Sequence, residues 1–170
     1  IDFGNWTLLG KTLERTKASI YDPPIISTNK KYLKKVKQHL RKNKISKFKI
    51  IVEPAKRNTA PAILSAALIK DIPDHQPLMF FTSDHLIEKM GIFNRAINKN
   101  KSNLSEENIF VFGIKPKSPT SDYGYFLTKK IQGNINKVTR FIEKPEEAKA
   151  KQIIKKKGYW NSGMFYLRKD

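Results

Sequence analysis

An acidic residue directly after an apolar run is the first place where this sequence could do chemistry. The segment Thr82-Ser83-Asp84-His85 follows Leu78-Met79-Phe80-Phe81, a run that is typical of a buried strand. A carboxylate just past such a strand can hold Mg²⁺ beside phosphate groups, because Mg²⁺ binds oxygen ligands. The alternative for Asp84 is a helix cap, where Asp is also favoured. His85 by itself is more simply interpreted as a structural partner than as a catalyst.

Three further segments carry residues that could bind a sugar or its phosphate. Gly124 stands between two tyrosines, which indicates a close approach of the backbone to another group, although a turn or a bulge explains it equally well. Glu143 can accept hydrogen bonds from sugar hydroxyls, and Lys144 can offset phosphate charge. Asn161 could hydrogen-bond a sugar. The alternatives for these last two segments are a surface ion pair and a turn.

A loop between an apolar run and a helix is a candidate nucleotide-binding turn. It follows Ile50-Ile51-Val52 and comprises Glu53-Pro54-Ala55-Lys56-Arg57-Asn58-Thr59-Ala60-Pro61-Ala62. The free N–H groups and the positive dipole end of the helix favour an anion or the edge of a nucleotide. The small residues Thr59 and Ala60 would let a flat base come close. Simple capping of the helix by Asn58 or Thr59 is the alternative.

Two alternating periodicities predict the elements that must position these segments. Apolar residues at helical spacing predict helices over residues 7–17, after Asn29, after Asn58, over 91–100 and over 146–157. Apolar runs predict strands at 25–28, 49–53, 78–81, 109–114, 125–131, 137–143 and 164–167. The dipeptide Gly133-Asn134 predicts a hairpin.

The repeated strand–helix units predict an α/β fold with a mainly parallel sheet and helices on both faces. Ligands then bind beyond the carboxyl ends of the strands. We expect Ile50-Ile51-Val52 to be a buried strand. In the helix after Asn58, the apolar side is expected to consist of Ile63, Leu64, Ala67 and Leu68. The absence of an internal repeat or a linker favours one domain.

The composition is typical of a folded chain, and the sequence contains no cysteine. Of its 170 residues, 39% are hydrophobic, and no apolar run approaches the ~20 residues needed to cross a bilayer. The absence of Cys excludes disulfides, thiolate metal sites and a Cys nucleophile. The first residues have neither the basic nor the apolar region of a signal peptide, so a cytoplasmic location is expected. They also lack an initiator Met, and we expect the true N-terminus upstream.

The formal net charge of +19 has several explanations. Nucleic acid, an anionic membrane surface and an anionic small substrate would each suit it. The chain has 28 Lys and 6 Arg, whereas surfaces that read bases or clamp phosphates favour Arg. The lysines are spread along the whole chain, which favours an ordinary domain coated with Lys. Electrostatic help for a polyanionic substrate is the next alternative, and we expect no nucleic-acid or membrane partner.

Together and in this order, the segments resemble the mannose-1-phosphate guanylyltransferase family. The strongest match is Glu53-Pro54 followed by Arg57-Asn58-Thr59-Ala60-Pro61-Ala62. The other matching segments are Ser83-Asp84-His85, Tyr123-Gly124-Tyr125, Phe141-Ile142-Glu143-Lys144-Pro145 and Trp160-Asn161-Ser162-Gly163-Met164-Phe165. Thr12-Leu13-Glu14-Arg15 and Pro24-Ile25-Ile26-Ser27-Thr28-Asn29 look like the early helix and second strand of that family. The resemblance covers nearly the whole chain, and five ordered motifs make it specific.

The resemblance implies a Rossmann-like, GT-A-like nucleotidyltransferase fold with a β-hairpin in its sugar-binding half. It also implies transfer of GMP from GTP to mannose-1-phosphate, giving GDP-mannose and pyrophosphate, with Mg²⁺ as cofactor. Such chemistry needs mainly positioning and charge neutralisation, so a protein nucleophile is not required. By matching motifs, the implied nucleotide-binding residues are Asn58, Thr59 and Ala60. The implied metal ligand is Asp84, and the implied catalytic residues are Asp84 and Lys144. The implied sugar-phosphate residues are Gly124, Glu143, Lys144 and Asn161.

The sequence departs from the family pattern at both ends and at one residue between them. The family's Gly-rich triphosphate loop, with its Arg and the following Pro-Lys pair, would precede Ile1. A further metal-binding acid and the C-terminal β domain would follow Asp170. Asp122 stands where many relatives carry Gly, and this difference is expected to alter the loop that binds the sugar in the family.

These departures lead us to expect a partial nucleotidyltransferase domain over residues 1–170, with little or no turnover on its own. One alternative is a non-catalytic remnant that folds and binds nucleotide or a partner chain. The other is a basic nucleic-acid-binding protein, motivated only by the charge. A homo-oligomer is left open.

Overall fold

The computed structural model describes residues 7–55, 58–133 and 135–170, and for Gln132 only the backbone. The chain divides into two compact units. The first unit contains the described residues up to Ile109 together with Tyr166–Asp170, and the second contains Phe110–Phe165. The expected single domain over 1–170 stays a prediction.

Every helix and strand predicted from the sequence is found in the described residues. The helices are α1 (Leu8–Arg15), α2 (Leu33–Lys42), α3 (Thr59–Ala67), α4 (Met90–Asn100) and α5 (Glu147–Lys155), with short 3₁₀ turns at Lys30–Tyr32 and Lys101–Asn103. The strands are β1 (Ile25–Asn29), β2 (Lys49–Glu53), β3 (Pro77–Phe80), β4 (Ile109–Ile114), β5 (Tyr125–Gln132), β6 (Ile135–Ile142) and β7 (Tyr159–Arg168). Strand β7 begins ahead of the predicted run 164–167, so Asn161 lies on the strand. Across the residues that the structure describes, every helix is too short or too polar to cross a membrane.

The core of the first unit forms where α1 and α2 pack together. The side chain of Thr7 caps α1 by accepting a hydrogen bond from the Gly10 N–H at 2.9 Å. The buried residues are apolar and recur at helical spacing: Leu13 from α1, and Val36 and Leu40 from α2. The opposite faces of α2 carry exposed lysines, so the helix has one apolar stripe.

The predicted apolar side of α3 is wrong in part. Ile63 and Ala67 are half-buried. Leu64 is 58% exposed and Leu68 is 69% exposed, whereas Ala66 is the buried residue of the helix. Apolar residues occur on more than one side of α3, so their spacing could not select the face that packs on β1 and β2. The prediction of a buried β2 is also wrong in part, because Val52 is 43% exposed.

The α/β class is confirmed, but a mainly parallel sheet is not. In the first unit, β1 and β2 pair in parallel from Ile25↔Lys49 to Asn29↔Glu53. In the second unit, β5 runs antiparallel to both β6 and β7, and β4 also pairs with β7. A strand that returns through a two-residue turn can only pair antiparallel, which explains the β5–β6 hairpin. The turn contains Gly133 at φ +54°, and Asn134 lies outside the described residues.

Helix α5 covers one face of the strands in the second unit. Tyr125 on β5 is fully buried against Ala150 and Ile153 of α5. Side chains alternate between the two faces of a strand. The neighbours of Tyr125 in sequence therefore point to the face of β5 that α5 does not cover.

Candidate functional site

Three of the predicted sugar-phosphate residues lie together in the second unit. Strand β5 stands between β6 and β7, and its first residue, Tyr125, is opposite Trp160 of β7. Tyr125 is also opposite Ile142 of β6. Gly124 precedes Tyr125, Glu143 follows Ile142 and Asn161 follows Trp160, so these three residues are the next neighbours across the strands. The Gly124 carbonyl accepts a hydrogen bond from the Asn161 N–H at 2.8 Å. The antiparallel register thus places these residues side by side.

The carboxylate of Glu143 lies directly against the backbone of Gly124. A side-chain carbon placed on Gly124 would be 2.8 Å from Glu143 Oε2 and 2.8 Å from Phe141 Cζ. Both distances are shorter than normal contacts, so a side chain at this position would require the ends of Glu143 and Phe141 to move. Among the ion pairs in the described part of the chain, none includes Glu143. Its exposed carboxylate can therefore accept hydrogen bonds from a ligand.

The side chain of Asn161 is fixed by a hydrogen bond to the backbone two residues further along β7. Its Oδ1 accepts a hydrogen bond from the Gly163 N–H at 3.0 Å, and Gly163 has a φ of +70°. The Nδ2 group donates to no group within the described residues. It can therefore donate to a hydroxyl or a phosphate oxygen on the face shared with Gly124.

Lys144 turns the chain where β6 ends. Its φ of +41° is unusual for a residue other than glycine. The side chain is exposed, and no ion pair in the described ranges involves it, while Pro145 after it is buried. The ammonium group is thus free to approach a phosphate next to Glu143.

Tyr125 fixes the loop that leads into Gly124. Its buried hydroxyl donates to the Thr120 carbonyl at 3.0 Å and accepts from the Thr120 N–H at 3.1 Å. Asp122 is held in the same loop, since its carboxylate accepts from the Thr120 hydroxyl at 2.9 Å. The Tyr-Gly-Tyr motif pointed to Tyr123 and Tyr125 together, and the sequence offered no signal that distinguishes the anchoring tyrosine.

The predicted nucleotide turn belongs to the first unit and is solvent-exposed. Asn58 is the N-cap residue of α3, with φ +62° and ψ −164°, but its side chain makes no capping hydrogen bond. This backbone differs from the extended conformation of an ordinary N-cap, so the capping alternative is wrong for the Asn58 side chain. Thr59 and Ala60 are exposed in the first turn. The predicted motif residues Lys56 and Arg57 lie outside the described residues.

Asp84 follows β3 as predicted and is exposed. Its side chain is 72% accessible, and its Oδ1 lies 3.9 Å from His85 Nε2. The His85 carbonyl accepts a hydrogen bond from Arg15 Nη1 at 2.8 Å. Arg15 therefore holds the backbone of the segment that carries Asp84, a contact that the sequence did not predict.

Arg15 is a buried cation without a carboxylate partner among the described residues. It is 6% exposed, donates to the Thr12 hydroxyl, and stands 5.7 Å from the centre of the Phe81 ring. Burial lowers the pKa of its guanidinium. Its Nε and the buried Thr82 hydroxyl have no hydrogen-bond partner within the described ranges. The only sequence signal for Arg15 was the motif Thr12-Leu13-Glu14-Arg15.

The predicted site residues are distributed over both units. Asn58, Thr59, Ala60 and Asp84 belong to the first unit, and Gly124, Glu143, Lys144 and Asn161 belong to the second. The structure brings Gly124, Glu143 and Asn161 into contact. Convergence of all these places around one cleft stays a prediction, as do the individual roles.

Comparison with known proteins identifies a related family over the whole sequence. The family model described as nucleotidyl transferase matches residues 1–170. Mannose-1-phosphate guanylyltransferase from Klebsiella pneumoniae is 36% identical over 174 residues, covering 98% of this chain and 36% of its own length. Alginate biosynthesis protein AlgA from Pseudomonas fluorescens is 32% identical over 170 residues, covering 97% of this chain and 35% of its own. The chain thus spans about a third of the length of these relatives.

A solved structure gives the same picture of the fold. The crystal structure of mannose-6-phosphate isomerase from Helicobacter pylori is similar with a TM-score of 0.84 and 30% sequence identity. The match covers 99% of this chain and 64% of that chain.

Replacing Gly124 with alanine should disturb the cluster more than the fold. The added carbon meets only the ends of the Glu143 and Phe141 side chains, both exposed, so we expect a loss near the lower end of the ~1–3 kcal/mol typical of overpacking. The Glu143 carboxylate should shift, which NMR of its carboxyl carbon would detect. Gly91→Ala is the control, since its nearest contact is an ordinary 3.7 Å to Arg95. An unmoved Glu143 signal would contradict the prediction.

Removing the Tyr125 hydroxyl should loosen the loop before Gly124. In Tyr125→Phe, two backbone groups of Thr120 lose their partner, which we expect to cost about 1–3 kcal/mol of unfolding free energy. Chemical denaturation and amide exchange at Thr120 measure the two effects. Tyr123→Phe is the matched control, because Tyr123 is 46% exposed and should change little. Equal effects of the two variants would be inconsistent with this anchor.

Proposed function

We propose that the chain carries the sugar-phosphate site of a mannose-1-phosphate guanylyltransferase. The chain belongs to the nucleotidyl transferase family, whose model matches residues 1–170, and the proposal proceeds from this membership. The reaction is transfer of GMP from GTP to mannose-1-phosphate, with release of pyrophosphate and formation of GDP-mannose. The observation that carries the proposal is the contact of Gly124, Glu143 and Asn161 in the second unit. Relatives named mannose-1-phosphate guanylyltransferase and alginate biosynthesis protein support the choice of substrate and a role in polysaccharide precursor synthesis.

The second unit offers the complementary groups that a sugar phosphate needs. The Glu143 carboxylate accepts hydrogen bonds from sugar hydroxyls, and the Asn161 amide donates to sugar or phosphate oxygens. The Lys144 ammonium offsets the charge of the phosphate. An acceptor, a donor and a cation in one cluster suit a ligand that carries both hydroxyls and a phosphate.

The first unit offers a turn for the guanine nucleotide. The N-terminus of α3 presents backbone N–H groups that the Asn58 side chain does not cap, and the positive end of the helix dipole. Asn58, Thr59 and Ala60 form this turn, and their exposure leaves room for a base. We assign these three residues to nucleotide binding on the strength of the motif and this position.

The residues present fit a magnesium ion that is held mainly by substrate and water. The described part of the chain has no group of three or more His, Asp or Glu side chains that could enclose a metal. Mg²⁺ commonly takes one or two carboxylates and fills its remaining positions with phosphate oxygens and waters. Asp84, exposed after β3, supplies one such carboxylate. When bound, the ion would neutralise charge on the phosphates.

The reaction needs no nucleophile from the protein. A phosphate oxygen of mannose-1-phosphate attacks the α-phosphorus of GTP, and the bond from this phosphorus to the oxygen shared with the β-phosphate breaks. Pyrophosphate leaves with the bonding electrons. The protein contributes alignment of the two substrates. Lys144 is assigned to compensation of negative charge, and Asp84 to holding the Mg²⁺ ion that would neutralise charge on the phosphates.

Binding of mannose-1-phosphate by the purified chain tests the sugar-phosphate site. Glu143→Gln and Asn161→Ala should each weaken binding about tenfold, because each loses a hydrogen bond to the ligand worth roughly 1–3 kcal/mol. Isothermal titration calorimetry gives the affinities. Glu147→Gln is the matched control, as Glu147 is exposed and pairs with Lys151 at 2.8 Å. No binding by the parent chain, or equal binding by all variants, would refute the site.

Pyrophosphate release from GTP, mannose-1-phosphate and Mg²⁺ tests the reaction. Competition with ATP, UTP and glucose-1-phosphate tests the specificity, and we expect GTP and mannose-1-phosphate to be preferred. Turnover by residues 1–170 alone is expected to be low, and it should fall further in Asp84→Asn. A chain that binds mannose-1-phosphate but releases no pyrophosphate at all would be the non-catalytic alternative.

A further inference from the structure

We propose that Phe141 forms an apolar wall of the sugar site and packs against a C–H face of the hexose ring. The inference rests on the proposed function of the second unit, and it adds a specificity-determining residue to the polar groups assigned above. It is carried by the position of the Phe141 ring relative to Gly124 and Glu143.

The Phe141 ring and the Glu143 carboxylate both lie next to the backbone of Gly124. Phe141 Cζ and Cε2 lie 2.8 and 3.0 Å from the point where Gly124 would carry a side-chain carbon, and Glu143 Oε2 lies 2.8 Å from that point. Phe141 lies near the end of β6 and Glu143 directly follows the strand, and both side chains approach Gly124 on one face of the strands. This face is opposite to the one on which Tyr125 packs against α5.

Phe141 is not needed to complete the protein core. Its residue is 52% exposed, although phenylalanine is normally among the more buried residues. Its cross-strand partner Phe126 is already 4% exposed and stacks on Tyr159 at 6.0 Å. A large aromatic surface therefore remains accessible beside the Glu143 carboxylate, which forms no ion pair with any residue that the structure describes.

A half-exposed aromatic ring beside hydrogen-bonding groups suits a hexose. The hydroxyls of a sugar project outward from the ring, while its C–H groups form a less polar face. Ligand sites commonly combine apolar surface with a few polar groups that fix orientation. Glu143 and Asn161 can bind the hydroxyls while the Phe141 ring covers the C–H groups, which removes apolar area of both partners from water.

The arrangement should discriminate a hexose phosphate from a bare phosphate. Inorganic phosphate has no C–H face, so it gains nothing from Phe141. The two ligands share the charge that Lys144 recognises. A comparison of their affinities therefore isolates the contact with the sugar ring.

Mannose-1-phosphate and inorganic phosphate are each titrated into the parent chain and into Phe141→Ala. Calorimetry or NMR measures the binding. We expect the variant to bind mannose-1-phosphate about tenfold more weakly, a change typical of losing an aromatic contact, and to bind inorganic phosphate unchanged. Ile131→Ala is the control: Ile131 is 63% exposed on the same hairpin and should leave both affinities unchanged. Denaturation midpoints establish that each variant is folded.

The outcomes separate this inference from the proposed function. If Phe141→Ala binds mannose-1-phosphate like the parent chain while Glu143→Gln and Asn161→Ala lose affinity, the wall is refuted and the sugar-phosphate site stands. Equal weakening toward both ligands also refutes the wall, because the ring would then act on the phosphate. A parent chain without affinity for mannose-1-phosphate overturns both. If Phe141→Ala is unfolded, Phe141→Leu repeats the test, with selective loss of the sugar ligand expected.

Discussion

The candidate sugar site depends on the absence of a side chain at Gly124. At this residue, directly before β5, the backbone carbonyl accepts a hydrogen bond from Asn161 of β7, and the carboxylate of Glu143 lies against the backbone. A single added carbon would approach Glu143 and Phe141 to within 3 Å. A side chain at Gly124 would displace the ends of Glu143 and Phe141, so glycine keeps both groups in their present positions. The chemistry assigned to the second unit follows from this close approach.

The same strand supports the site on one face and the core on the other. Tyr125 is fully buried against α5, and its hydroxyl fixes both backbone groups of Thr120. Because the hydroxyl of Tyr125 holds the loop that leads into Gly124, the position of Gly124 depends on this buried residue.

In the first unit, a buried charge plays the corresponding role for the segment that carries Asp84. Arg15 binds the His85 carbonyl and the Thr12 hydroxyl without a carboxylate partner among the described residues. A buried cation of this kind is costly, and its hydrogen bonds offset part of that cost.

The sequence by itself determined the order and type of the helices and strands, the family, and the candidate residues to which chemistry is assigned. Those properties depend on periodicity and on short motifs, which are encoded within a few neighbouring residues. Tertiary structure alone decided which side of α3 is buried, the antiparallel pairing of β5, and the contacts of Arg15 and Phe141. These features depend on strand register and on packing between residues distant in sequence. A helix apolar on several sides, or a half-exposed ring, has no local signal that reveals its neighbour.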